Sequence, residues 1–189
     1  MVLGIDFGSK VAGTTVICYK HENQLIFESS VKSKSADLFL AEAFEKLKAT
    51  KVFIDAPLSL PAAFYGRGEN FHFRDCDIKT QAMSPMFLGG LTARAIKLKS
   101  SFEKIEFFET YPAFLMKIIC PNLKDIYTKK LKLSQHSIDW LSAQVEWDFV
   151  NIPANWHEFD AALAWLSGAR FNKNEALQIG DASEGLIWV

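Results

Sequence analysis

The sequence predicts an α/β domain on a mixed five-stranded sheet: three antiparallel strands, then parallel ones, flanked by helices and interrupted by one insertion. Three observations predict it. Three short apolar runs open the chain, joined by a glycine-containing turn and a polar turn, as in two successive hairpins. The spacing of apolar residues then changes to that of a helix over Ala36–Lys48. A continuous apolar run, Lys51–Asp55, follows that helix, and a strand–helix–strand order implies a right-handed crossover into a parallel pair.

Val2–Asp6 is the first strand, closed by an acid; Gly8-Ser9-Lys10 turns the chain, and Ala12–Tyr19 returns as a second strand rich in β-branched residues. His21-Glu22-Asn23-Gln24 makes the next turn and Leu25–Val31 the third strand. In Ala36–Lys48, Leu38, Leu40, Ala41, Phe44 and Leu47 fall near one helical face. Lys51–Asp55 again ends in an acid. Leu58–Pro85 carries Pro61, Gly66 and Gly68 among several aromatics and is too long for a structureless loop in a compact domain. It reads as an insertion with short helices covering the mouth of the sheet. Phe87–Ser100 reads as a helix and Ile105–Glu109 as a fifth strand with an acid at its end. Pro112–Ile119 starts a helix with proline in its first turn, and Ser134–Trp147 is a helix of mixed character. Asn155–Phe171 is the clearest helix, with Asn155 placed to cap it, Glu158 completing a capping box, and Phe159, Ala162, Leu163, Leu166 and Ala169 facing inward. Leu186–Val189 is a terminal strand or tail.

A length of 189 residues suits one domain, and a 49% hydrophobic content supplies a core and excludes a disordered chain. The formal charge of -1 gives no global basic surface for gripping phosphates. Local basic stretches exist at Arg94, Lys97, Lys99 and Lys104, and at Lys124, Lys129, Lys130 and Lys132; both read first as solvated helix faces. The tryptophans and phenylalanines read as core rather than as platforms for bases. No apolar run is long enough for a membrane span, no signal-peptide pattern opens the chain, and three widely spaced cysteines suit reduced thiols. A cytoplasmic protein without a membrane partner is expected.

The informative feature is where the acids fall. Asp6, Asp55 and Glu109 each end an apolar strand, and the carboxyl ends of parallel strands form the ligand crevice of open α/β sheets. Asp160 lies one turn into the last helix, and His157, three residues before it, shares its face. Convergence of such acids costs about 4 kcal/mol per pair at ~4 Å in an effective dielectric near 20. A cluster therefore raises its pKa values or recruits a cation. Carboxylate oxygens suit Mg²⁺ or Mn²⁺, and two such ions about 3.5–4 Å apart can activate water and stabilise the leaving oxygen of a phosphodiester. Four further residues are candidates for phosphate contact. Lys10 follows the glycine turn, Thr92 and Arg94 head a helix, and Arg74 offers a guanidinium fork over the site or a local ion pair with Asp75 and Asp77.

Val2–Ile17 resembles the first hairpin of the ribonuclease H-like superfamily, and His157–Leu166 is similar to the final helix of RuvC-type resolvases. Val52–Pro61, Arg74–Asp77, Leu91–Ile96, Glu109–Pro112, His157–Ala164 and Gly180–Val189, taken in order, resemble the family called domain of unknown function 429, described as predicted ribonuclease H-like nucleases. The resemblance implies a metal-dependent nuclease cleaving DNA or RNA. In it Asp6 matches the first-strand metal acid, Asp55 the acid closing the strand after the first helix, and Asp160 the acid of the last helix. Glu109 matches the family's own strand-end acid, and His157 the polar residue that contacts metal or the attacked phosphate. Resolvase-like enzymes often act as homodimers. Two other readings stand beside this one. The near-neutral charge suits a catalytically inactive ribonuclease H-like module kept for binding or scaffolding. Gly4–Thr15 also resembles the first phosphate loop of ATP-binding domains of the actin and sugar-kinase type, which need two such domains around the nucleotide.

Overall fold

The computed structural model describes residues Met1–Val189 and opens with β1 (Val2–Asp6), β2 (Val16–His21) and β3 (Gln24–Ser29). Helix α1 (Ala36–Leu47) crosses over to β4 (Lys51–Asp55). The inserted segment holds a 3-10 turn at Ala62–Tyr65 and α2 (Asp75–Thr80); α3 (Pro85–Leu88), α4 (Gly90–Ser101) and β5 (Glu106–Glu109) follow. Then come α5 (Pro112–Ile119), α6 (Leu123–Ile126), α7 (Gln135–Gln144), β6 (Asp148–Phe149), α8 (Trp156–Asn172), β7 (Gln178–Asp181) and β8 (Gly185–Trp188).

All strands join one sheet, in the order β6-β3-β2-β1-β4-β5-β8-β7. The central five are those expected: β1, β2 and β3 antiparallel, β4 and β5 parallel to β1. The count is a correction, eight strands in place of five. Of the three strands beyond those five, β6 and β7 sit at the edges, where pairing rather than hydrophobic periodicity defines them, while β8 lies between β5 and β7 and takes up the terminal strand or tail expected over Leu186–Val189. β6 is a two-residue ribbon on β3, and β7 (QIGD) is a mostly polar outer strand hairpinned to β8. The second strand starts at Val16, not Ala12, because the turn after β1 extends to Thr14. The expected helix over Phe87–Ser100 is split at Gly89, whose φ of +44° ends α3 before α4 begins.

Alternation along the strands sorts the core into two layers. Leu3, Ile5, Val52 and Ile54 pack with Leu40, Phe44, Ala95 and Leu98 from α1 and α4. The other face carries α8, backed by Leu115, Met116 and Leu141 from α5 and α7. Burying each such large side chain stabilises the fold by about 1.5–3 kcal/mol. From Phe159 to Gly168 every residue of α8 is buried, a wider contact than one inward stripe. Small residues permit it. A Cβ on Gly4 would lie 2.1 Å from the Trp165 nitrogen, and one on Gly168 would lie 2.7 Å from the Phe53 ring. The helix is thus pressed onto β1 and β4, which carries the acid in its second turn to the ends of both strands. No helix is long and apolar enough to cross a membrane.

Candidate metal centre

Strands β1 and β4 pair in parallel with Asp6 directly beside Asp55. Laterally paired residues share a face, and Leu3, Ile5, Val52 and Ile54 occupy the other one, so both aspartates stand on the side of α8. Helix α8 brings Asp160 to meet them: carboxylate oxygens of Asp6, Asp55 and Asp160 all lie within 4.8 Å of one another. At 4.8 Å each like-charge pair costs about 3.5 kcal/mol in an effective dielectric of 20. The titration of the group follows. Burial, then the charges of Asp160 and Asp6, push the Asp55 carboxyl well above the usual range. Burial pushes Asp160 up to about 6, with Asp6 adding to the rise and Lys129 and Tyr127 opposing it. Asp55 accepts no hydrogen bond from any protein donor. Asp6 and Asp55 line a cavity of about 280 Å³ with an apolar rim that includes Phe7, Met83, Leu88, Leu91 and Tyr111. A donor set of three clustered carboxylates beside an open cavity fits a hard divalent cation such as Mg²⁺ or Mn²⁺.

His157 stands where the helix spacing puts it. Its Nδ1 lies 2.6 Å from Asp6 Oδ2, and that contact raises the imidazole pKa against the effect of burial. The helix start is fixed by the Asn155 side chain, whose oxygen accepts the N–H groups of His157 at 2.9 Å and Glu158 at 3.0 Å. The capping box is displaced by one residue, since Glu158 accepts the N–H of Ala154 at 2.7 Å.

Two residues of the site carry no sequence signal. In the segment between α6 and α7, Tyr127 donates its hydroxyl to Asp160 Oδ1 at 2.7 Å, and the Lys129 ammonium meets Asp160 Oδ2. Burial works against the charge on Lys129, but Asp160, Asp55 and Asp6 together raise its pKa. In the sequence Lys129 is one lysine in a basic run without periodicity, and only the folded chain separates it from Lys130 and Lys132.

Glu109 stands apart from the three aspartates, and strand register is the reason. In the β4–β5 pair Glu109 lies beside Ile54, one residue short of Asp55. Thr110 occupies the α8 side instead and donates to Ser167 at 2.8 Å. Glu109 accepts the Leu58 N–H at 2.9 Å and both arms of Arg74, at 2.7 and 2.6 Å. Arg74 is fully buried and spends all five N–H donors inside the protein, on Asp77, Glu109 and Ser59. It is a structural ion pair and leaves no donor for a phosphate clamp. Its partners make the guanidinium harder to deprotonate despite burial. Glu184, in the turn between β7 and β8, accepts the N–H groups of Ala62 and Asp75, tying the insertion to that hairpin. Thr92 is buried and donates to the Pro85 carbonyl at 2.8 Å. Arg94 grips Asp37 and the Gly8 carbonyl while lying over the Phe7 ring. Of the four residues expected to meet phosphate, Lys10 alone is exposed without a protein partner for its side chain.

Compared with models of known protein families, with curated proteins and with solved structures, the chain matches none.

Proposed function

We propose that this chain is a ribonuclease H-like nuclease that hydrolyses phosphodiesters of DNA or RNA with a divalent metal. The convergence of Asp6, Asp55 and Asp160 from β1, β4 and α8 carries the reading. Mg²⁺ or Mn²⁺ held by these carboxylates would supply an activated water and charge stabilisation at the leaving oxygen. The chain's own residues do the rest. Tyr127 and Lys129 fix the Asp160 carboxylate in one orientation. His157 is anchored through Nδ1 on Asp6 and is half-exposed, which leaves its second nitrogen free to exchange a proton with substrate. The apolar rim of the cavity favours a substrate that presents a base as well as a phosphate. Buried, unpaired Cys18, Cys76 and Cys120 suit a reducing, cytoplasmic setting, and a homodimer belongs to the same reading by analogy with resolvase-like enzymes.

The test is cleavage of branched and single-stranded DNA and RNA by purified protein with Mg²⁺ or Mn²⁺. Asp6→Asn and Asp160→Asn are each expected to lose at least 100-fold in rate. Equal cleavage by wild type and the double variant overturns the proposal. A second reading, a binding module without turnover, is favoured by the internal commitment of Arg74, Thr92 and Arg94, which leaves few groups for phosphate. A native-state metal site raises stability by about 2.7 kcal/mol at 100 times its dissociation constant. A melting temperature that does not move with millimolar Mn²⁺ supports the module.

A further inference from the structure

We infer that Lys129 is a built-in second cation of this site, so that Asp6, Asp55 and Asp160 hold one divalent ion rather than two. The inference rests on the metal-dependent reading above and specifies its stoichiometry. Asp160 is 2% exposed, and each of its oxygens already has a donor: the Tyr127 hydroxyl on one and the Lys129 ammonium on the other. A charge-assisted contact of this kind is among the stronger hydrogen bonds a protein makes. The ammonium is also held from a second side, 5.2 Å from the centre of the Tyr127 ring. The same tyrosine thus positions both Asp160 and the cation that faces it.

The unclaimed oxygens lie on the other side of the cluster. Asp55 accepts from no protein donor, and Asp6 engages His157 through Oδ2 alone. Both line the cavity. Charge balance points the same way. Three carboxylates carry three negative charges and Lys129 returns one, so with a neutral imidazole at His157 the remainder matches a single divalent ion. Glu109 does not join the cluster, because both of its oxygens are taken up by Arg74 and the Leu58 N–H. A second divalent ion would have to share Asp160 with an ammonium at contact distance, against a direct Coulomb repulsion.

The experiment is a Mn²⁺ titration of the purified full chain, read by the electron paramagnetic resonance signal of free Mn²⁺ and by calorimetry. Wild type is expected to bind one ion. Lys129→Met is expected to bind two, with the broadened signal of a coupled Mn²⁺ pair, and Lys129→Arg to return to one. The Lys129 side chain is 48% exposed, so its replacement leaves the core intact; a cooperative melt verifies this, and Lys129→Gln serves as the second neutral variant. Two ions in wild type, or one ion in both neutral variants, overturns the inference while leaving the metal-dependent reading in place. Absence of bound Mn²⁺ from every form removes both.

Discussion

Asp55 and Glu109 end neighbouring parallel strands, both lie in buried surroundings, and in the amino-acid sequence they look alike. Their environments are opposite. Glu109 meets a guanidinium through two short hydrogen bonds and a backbone N–H through a third. Asp55 meets two other aspartates and no protein donor. A one-residue offset in register sends the first carboxylate to the insertion and the second to α8. The pairing around Glu109 closes the structure on itself, tying β5 to Arg74 and α2. The deficit around Asp55 is a cost that the fold carries, and one that a bound cation would relieve. The position of a carboxylate at a strand end therefore says less about its chemistry than the balance of donors around it.

Breaking the satisfied cluster is expected to give the largest effect. Arg74→Met leaves Glu109 and Asp77 buried without their partner, and removing one member of a buried pair costs about 3–5 kcal/mol. Urea unfolding with chelator present measures it. Neutralising a charged side chain in the other cluster runs the opposite way. Asp55→Asn removes a repulsion of at least about 3.5 kcal/mol per ionised pair at 4.8 Å or less in an effective dielectric of 20; proton uptake by the raised Asp55 carboxyl already relieves most of it, so metal-free stability is expected to rise by about 1 kcal/mol. Destabilisation of similar size by both variants would erase the contrast between the two sites.

The pH dependence sharpens the comparison. Asp160 has a pKa of about 6 in the folded protein against an ordinary value of 3.8. A raised carboxylate binds its proton more tightly in the folded state. Its contribution to stability is thus present below pH ~4 and is lost as pH rises through about 6. The loss amounts to about 2–3 kcal/mol in metal-free protein. Asp55, pushed up by burial and by the other aspartates, acts in the same direction. Melts between pH 4.5 and 7.5 in chelator measure the fall; Asp160→Asn should remove the share of Asp160 and leave the burial-driven share of Asp55. Added Mn²⁺ should reverse the trend, because its ligands must be deprotonated: stabilisation at pH 7.5 and none at pH 4.5.

Much of this was legible in the residues. The central strand order follows from hairpin and crossover rules, and β4 and α5 have the bounds their apolar runs predict. Asp6, Asp55, His157 and Asp160 were legible because strand ends and one helical turn fix where those side chains emerge. Glu109 was not, because register between parallel strands depends on packing that no local pattern records. Arg74 showed two possible fates in sequence, and its burial beside Asp77 and Glu109 decided between them. Lys129 and Tyr127 were illegible for a different reason: they reach the site from a loop, where neither periodicity nor capping constrains direction.

The smallest effect is expected at an ion pair more exposed than those of Arg74. Arg94 donates through Nε and Nη2 to Asp37, at the start of α1, and through Nη1 to the Gly8 carbonyl at 3.0 Å. It therefore holds the turn that follows Asp6 against two helices, with its guanidinium 4.5 Å above the Phe7 ring. The side chains of Arg94 and Asp37 are 18% and 31% exposed, so solvent screens part of the attraction. Arg94→Lys keeps the charge and loses the planar fork, and is expected to cost about 1 kcal/mol in urea unfolding. Because the guanidinium is spent inside the protein, any affinity for single-stranded DNA in Ca²⁺ that the proposed nuclease function brings should change less than twofold. A loss of affinity above tenfold with unchanged stability would make Arg94 a phosphate contact after all, and would bring the turn after β1 into the proposed substrate site.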